Sequence, residues 1–151
     1  MVSIDQDEGF MRQALGAAEE AYALGEVPVG ALLVCESDIF SAYNLRERRH
    51  DPTAHAEILV LQKASKKLGR WRLGGTLYTT LEPCLMCAAA LGQARIDRLV
   101  YGACDPKGGG CGSLFDLVRE PRLNHQIEVS GGVLEDASSR LLRTFFKALR
   151  N

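Results

Sequence analysis

GTLYTTLEPCLMCAAALGQARIDRLVYGA, residues 75–103, is the stretch whose reading decides the fold. GTLYTTL (75–81) and DRLVYGA (97–103) are rich in β-branched and aromatic residues and predict strands. Between them PCLMCAAALGQA (83–94) predicts a helix with Pro83 at its first position, where a fixed φ and a missing N–H cost nothing. A connection of that length brings the chain back in the same direction, so the two strands should run parallel. Upstream, residues 8–24 place Phe10, Ala14, Leu15, Ala18 and Ala21 on one apolar stripe, with Gly25 just past its end. VGALLVCE (29–36) and DIFSAYN (38–44) predict two strands whose short junction implies an antiparallel hairpin, although no Asn-Gly or Gly-Gly marks it. A helix follows from about 54 to 68, closed by Gly69, with Lys66 and Lys67 in its last turn.

Downstream, CDPKGGGCG (104–112) must be loop, because three consecutive glycines suit neither helix nor strand. SLFDLV (113–118) is expected to make one or two helical turns. QIEVSGGV (126–133) reads as a short strand and EDASSRLLRTFFKALRN (135–151) as a closing helix. The fold class that results is α/β, a three-layer α/β/α sandwich around one mixed sheet of about five strands. No repeat, low-complexity tract or linker divides the chain, which reads as one domain over residues 1–151.

A hydrophobic content of 46% with 25% charged residues is that of a soluble globular protein. No apolar run approaches the roughly 20 residues a membrane span needs. The N-terminal MVSIDQDEGFMRQ is acidic and lacks a signal-peptide pattern, so the expected location is the cytoplasm, with no membrane association. A net charge of −1 argues against a globally basic nucleic-acid binder. Basic residues nevertheless cluster at 46–49, 63–72 and 140–150, and a local basic surface escapes a whole-chain count. Taken alone, such runs are most simply solvated faces. Five cysteines without an export signal favour metal binding or catalysis over a disulfide framework.

DPTAHAEI (51–58) sets His55 and Glu57 two apart, a spacing that does not put two ligands on one helix face. Cys84 and Cys87, three apart, share a face in the first turn of their helix, where the positive end of the macrodipole favours thiolates. A lone C-x-x-C also fits a redox pair or two packed thiols, and a lone histidine is more often a core or surface residue. Together the three make a His/Cys/Cys set suited to Zn²⁺. Structural zinc sites close with four protein ligands, whereas catalytic sites keep one position open for water. Cys104 and Cys111 are candidates to close the site, but their glycine-rich loop and spacing of seven favour the open arrangement. Two thiolates neutralise Zn²⁺, and a bound water is acidified to a pKa of about 7. Glu57 is then placed to take its proton; the plainer reading of Glu57 is an acid that favours a helix N-terminus.

HAE followed by PCLMC matches H-x-E…P-C-x-x-C, the signature by which the zinc nucleoside and nucleobase deaminases are already described. EVPVGALLV, DPTAHAEI, TLYTTLEPCLMCAAA, GACDPKGG, GSLFDL and LNH extend the likeness over nearly the whole chain. In these segments the chain resembles the bacterial tRNA-specific adenosine deaminases, which convert wobble adenosine to inosine. The resemblance implies a cytidine-deaminase-like fold, Zn²⁺ held by His55, Cys84 and Cys87, and Glu57 as the acid/base. It also implies Asn44 on the flipped base, Asp105 and Lys107 on the neighbouring nucleotides, a tRNA anticodon stem-loop as substrate and a homodimer. The zinc signature alone is shared with cytidine, dCMP, guanine and riboflavin-pathway deaminases. A deaminase of a free base, nucleoside or nucleotide is therefore the alternative, and a non-catalytic zinc-containing RNA-binding subunit the more distant one. Asn44 also reads as a strand-ending turn residue, and Asp105 as an Asx turn beside a solvated Lys107. Phe145 and Phe146 offer an aromatic face to a base or, more simply, fill the core.

Overall fold

The first helix, α1 (Ile4–Ala23), begins four residues before the expected start at residue 8, because Ser3 and Gln6 form a reciprocal capping box. The structure is a computed structural model and describes residues 3–150. Strands β1 (Gly30–Cys35) and β2 (Asp38–Tyr43) pair antiparallel through a tight turn. Glu36 supplies the left-handed backbone there (φ 57°) that a glycine or asparagine would usually provide, which is why the sequence carries no turn signal. Helix α2 (Ala56–Leu68) ends at Gly69 (φ 68°), as expected. Then come β3 (Thr76–Leu81), α3 (Leu85–Gln93), β4 (Arg98–Ala103), β5 (Glu128–Ser130) and α4 (Glu135–Arg150). The predicted last residue of the closing helix, Asn151, lies outside the described residues.

Two expectations are corrected. Pro83 does not open α3: Cys84 is the N-cap, with extended backbone (φ −70°, ψ 178°) fixed by a β-bridge to Gly109, so the helix cannot start before Leu85. Residues 113–118 form no helix either. The N–H groups of Leu114 and Phe115 donate to the Gly109 carbonyl and that of Leu117 to Gly110, which lie more than the four residues back that a helix requires.

The sheet order is β2-β1-β3-β4-β5. β1 runs antiparallel to both neighbours, while β3, β4 and β5 are mutually parallel, giving the mixed sheet expected. Strict alternation divides the core. Ala31, Leu33, Cys35, Leu77 and Leu99 face α2 and α3, where they meet Val60, Ala64, Ala88 and Leu91. Leu32, Tyr78 and Val100 face the other way, against Met11 and Ala14 of α1. Each fully buried leucine contributes about 2 kcal/mol through water exclusion. Backbones approach closely at Gly30, where any Cβ would collide with the α1 backbone at Ala14 and Ala18. Arg98 makes a two-pronged contact with Asp7 (2.9 and 2.7 Å), and Tyr78 donates its hydroxyl to the same carboxylate (2.7 Å). That buried cluster pins α1 across β3 and β4. Among the described residues no helix is long and apolar enough to cross a membrane.

Candidate active site

The parallel strands β3 and β4 end at one edge of the sheet, and the chain's chemistry gathers beyond their C-terminal ends, where such sheets place their sites. α2 and α3 both start there. His55 is the N-cap of α2 and Cys84 the N-cap of α3, and neither side chain caps its own helix. Both are therefore free to face each other, with two positive helix ends behind them. Cys87, one turn into α3, is fully buried.

His55 Nδ1 lies 3.6 Å from Cys84 Sγ and 3.5 Å from Cys87 Sγ. Zinc bonds of about 2.3 Å to sulfur and about 2.05 Å to nitrogen, at tetrahedral angles, separate N from S by about 3.6 Å. The three donors already stand at the edges of that tetrahedron, and all lie within 4.8 Å of one another. Their protonation fits a cation as well. Cys84 is drawn down to about 4 by the Cys87 thiol that donates to it, against its own burial and with help from His55. Cys87 is pushed up by that same contact and by burial. The two thiols thus share a proton through one contact, and that is the proton a bound dication would displace. His55 is raised by the same Cys84 contact. Cys104 and Cys111 do not join the set: Cys104 is exposed, while Cys111 is buried beneath Pro83, its Sγ 3.9 Å from that carbonyl. The open three-ligand arrangement is the one present among the described residues.

A pocket of about 260 Å³ opens in front of these ligands, with Asn44, Arg46, His55, Glu57, Glu82, Cys84 and Asp105 in its wall. Glu57 is buried, and burial pushes its carboxyl up to about 7, against the pull of its own N–H and of His55. Asn44 spends half of its amide on the fold: Nδ2 donates to the Val27 carbonyl (3.2 Å) and Oδ1 accepts from Arg46 N–H (3.1 Å). One N–H and one lone pair remain for a ligand. Asp105 reaches the pocket while closing an Asx turn, accepting from the N–H groups of Lys107 and Gly108 at 3.2 Å each. Lys107 is exposed and stands outside the pocket wall. The phenylalanine pair splits: Phe145 is buried against Tyr22, and Phe146 is exposed in a groove with Arg143 and Lys147.

Residues 4–103 match the family described as "Cytidine and deoxycytidylate deaminase zinc-binding region". The chain belongs to this zinc-dependent deaminase family. A tRNA-specific adenosine deaminase of Bacillus subtilis (strain 168) is 51% identical over 147 residues, 96% of this chain and 91% of that protein. One from Aquifex aeolicus (strain VF5) is 47% identical over 146 residues, 95% of this chain and 96% of the relative. Among solved structures, one from a study of A-to-I editing by tRNA:A34 deaminases superposes with a TM-score of 0.85 at 45% identity, over 89% of this chain and 99% of that one. A guanine deaminase from Nitrosomonas europaea gives 0.74 at 27% identity, over 91% and 83%. Zinc is accordingly the cofactor of this deaminase, and the His/Cys/Cys group is where its chemistry fits.

Two wall residues escape a reading of the sequence. Arg46 is visible there only as part of a basic run. Glu82 closes an apolar strand, and nothing local marks it. It is 1% exposed and accepts from the N–H groups of Asp105 (3.0 Å), Cys111 (3.1 Å) and Ser113 (3.0 Å) and from the Ser113 hydroxyl. A Cβ on Gly109 would strike this carboxylate, so the glycine run is what lets the loop close over it.

Proposed function

We propose that this deaminase converts adenosine to inosine at the wobble position of a tRNA anticodon stem-loop, releasing ammonia. The observation that carries the reading is a buried, nearly neutral carboxyl, Glu57, beside an open three-donor set. Likeness to tRNA-specific adenosine deaminases over almost the whole chain supplies the substrate class. The base leaves its stack at a cost of roughly a few kcal/mol, least in an exposed loop. Asn44 offers its spare N–H and lone pair to the purine edge, and Asp105, with Lys107 beyond it, flanks the neighbouring nucleotides. His55, Cys84 and Cys87 would hold zinc, which when bound would acidify the attacking water. Glu57 accepts a proton as that water attacks C6 and returns one to N1, then serves the departing amine. A carboxyl near neutrality does both; one at the ordinary 4.5 would return a proton readily but be the poorer base for taking it. The reading covers one domain, residues 1–151, acting in the cytoplasm where its substrate is. A homodimer is part of the proposal, supported by the exposed apolar side chains of Leu85 on α3 and of Trp71 beside the far end of that helix.

Likeness to a guanine deaminase favours a second reading, a free-base substrate. Purified protein, an anticodon stem-loop with wobble adenosine, and a Glu57→Ala control separate the two. Inosine from the wild type alone is expected. Ammonia from guanine or free nucleosides, with no inosine in the RNA, selects the second reading.

A further inference from the structure

The basic run at 46–49 is left unused by the catalytic reading, apart from Arg46. Residues 45–51 form a compact turn whose backbone is almost wholly satisfied. Arg49 N–H donates to the Leu45 carbonyl (3.0 Å), His50 N–H to Glu47 (3.2 Å) and Asp51 N–H to Arg46 (3.1 Å). From below, the fully buried carboxylate of Glu26 accepts from the N–H groups of Glu47 (3.0 Å) and Arg48 (2.7 Å). A buried charge given over to two backbone groups of a surface turn holds that turn in one shape. The arginine side chains are exposed, and none of Arg46, Arg48 and Arg49 forms an ion pair among the described residues.

This turn joins two depressions. Arg46 stands in the wall of the catalytic pocket. Arg49 lines a second groove of about 470 Å³ between the sheet-edge strand β2 and α2, with Tyr43, Leu45, Gln62, Lys63 and Lys66. Lys63 is anchored by donating to the Ser41 carbonyl (2.5 Å), and no acid lines the groove. Arg49 lies three positions after Arg46, a backbone reach of at most about 11 Å. Apart from the field that Arg49 exerts on nearby Asp51, these cations are committed to no ion pair and stay available to an anion. On a fixed turn they meet a polyanion with little ordering cost.

We infer that the Arg46–His50 turn and the β2–α2 groove form a second RNA contact surface, taking backbone phosphates of the stem-loop strand within a few nucleotides of the reacting adenosine. This rests on the deaminase reading for its RNA but concerns residues outside the catalytic pocket. Arg46 is the hinge between the surfaces, and Arg49, Lys63 and Lys66 carry the phosphate contacts. Glu26 is a positioning residue for the turn.

The test is binding of a fluorescent anticodon stem-loop to zinc-loaded wild type and to an R49Q/K66Q variant across a salt series. Roughly tenfold weaker binding is expected, with a plot of log K against log salt shallower by about 1.5, the release expected from two lost phosphate contacts. KM for the stem-loop should rise in step while kcat holds. The charge-keeping R49K/K66R variant should recover most of the affinity, which a merely structural defect would not allow. Equal affinity and slope for wild type and R49Q/K66Q would overturn the proposal, as would a loss confined to kcat. Wild type that binds the RNA but forms no inosine would strike the deaminase reading and leave the binding comparison standing.

Discussion

Glu57 and Glu82 are two buried carboxylates in the wall of one pocket, and their protons are held in opposite ways. Burial acts upward on both. At Glu57 little answers it, and the carboxyl rises to about 7. At Glu82 the Ser113 hydroxyl and the N–H groups of Asp105, Ser113 and Cys111 outweigh burial and hold the carboxyl below its usual value. Desolvation that weaker contacts do not offset favours a group that exchanges a proton near neutral pH; desolvation with a full set of donors favours an anion that holds a loop. The same residue type thus keeps an exchangeable proton at one position and ties down a loop at the other.

The sharpest way to break this contrast is at the metal ligands. Cys87→Ala is expected to lose both bound zinc and all measurable turnover, checked by metal analysis beside an inosine assay. Glu57→Gln should keep its zinc and lose kcat by about 10³-fold, within the range removal of an acid/base group produces. A zinc-loaded Glu57→Gln enzyme with normal kcat would take the proton role away from Glu57. Glu82→Ala should do the reverse. Three N–H donors would be left without their anion, costing about 3 kcal/mol in denaturant unfolding, and KM should rise more than kcat falls as the 104–113 loop loosens.

Asp7 extends the comparison to a third carboxylate. Burial acts upward there too, but the Arg98 fork and the Tyr78 hydroxyl outweigh it, so the folded pKa lies below the unfolded value. The stabilisation is complete above the unfolded pKa, near 3.9, and is lost as pH falls through the lower folded pKa. Asp7→Asn should therefore lower stability by about 1 kcal/mol at neutral pH, screened as a partly solvated pair is, and flatten the acid limb of a stability–pH curve below about pH 4. The smallest effect is expected from Cys104→Ser. Zinc content and activity should stay at wild-type levels and stability within about 0.5 kcal/mol, since this thiol is exposed and ligates nothing.

Much of the fold was legible because its signals are local. The β-branched and aromatic residues of 76–81 and 98–103, and the helix between them, require no partner to be seen, and the parallel pairing follows from crossover length. What misled was also local. Pro83 looks like a first helical residue, yet the bridge between Cys84 and Gly109 delays the helix. Residues 113–118 look helical, yet their N–H groups turn back to the carbonyls of Gly109 and Gly110. The three donors that could hold a metal were readable from residue types and spacing, and the structure brings them within 4.8 Å of one another. The two supporting carboxylates were not, since Glu26 and Glu82 act on backbone groups more than 20 residues away.

The sequence by itself determined the periodicities, the strand–helix–strand unit and the chemical types that can hold zinc and move a proton, because these depend on side-chain identity and near-neighbour spacing. Only the tertiary structure decided which acid remains protonatable and which is locked as an anion. A carboxyl's proton affinity is set by the donors and water around it, and at Glu82 those donors arrive from loop residues 23 to 31 positions further along the chain.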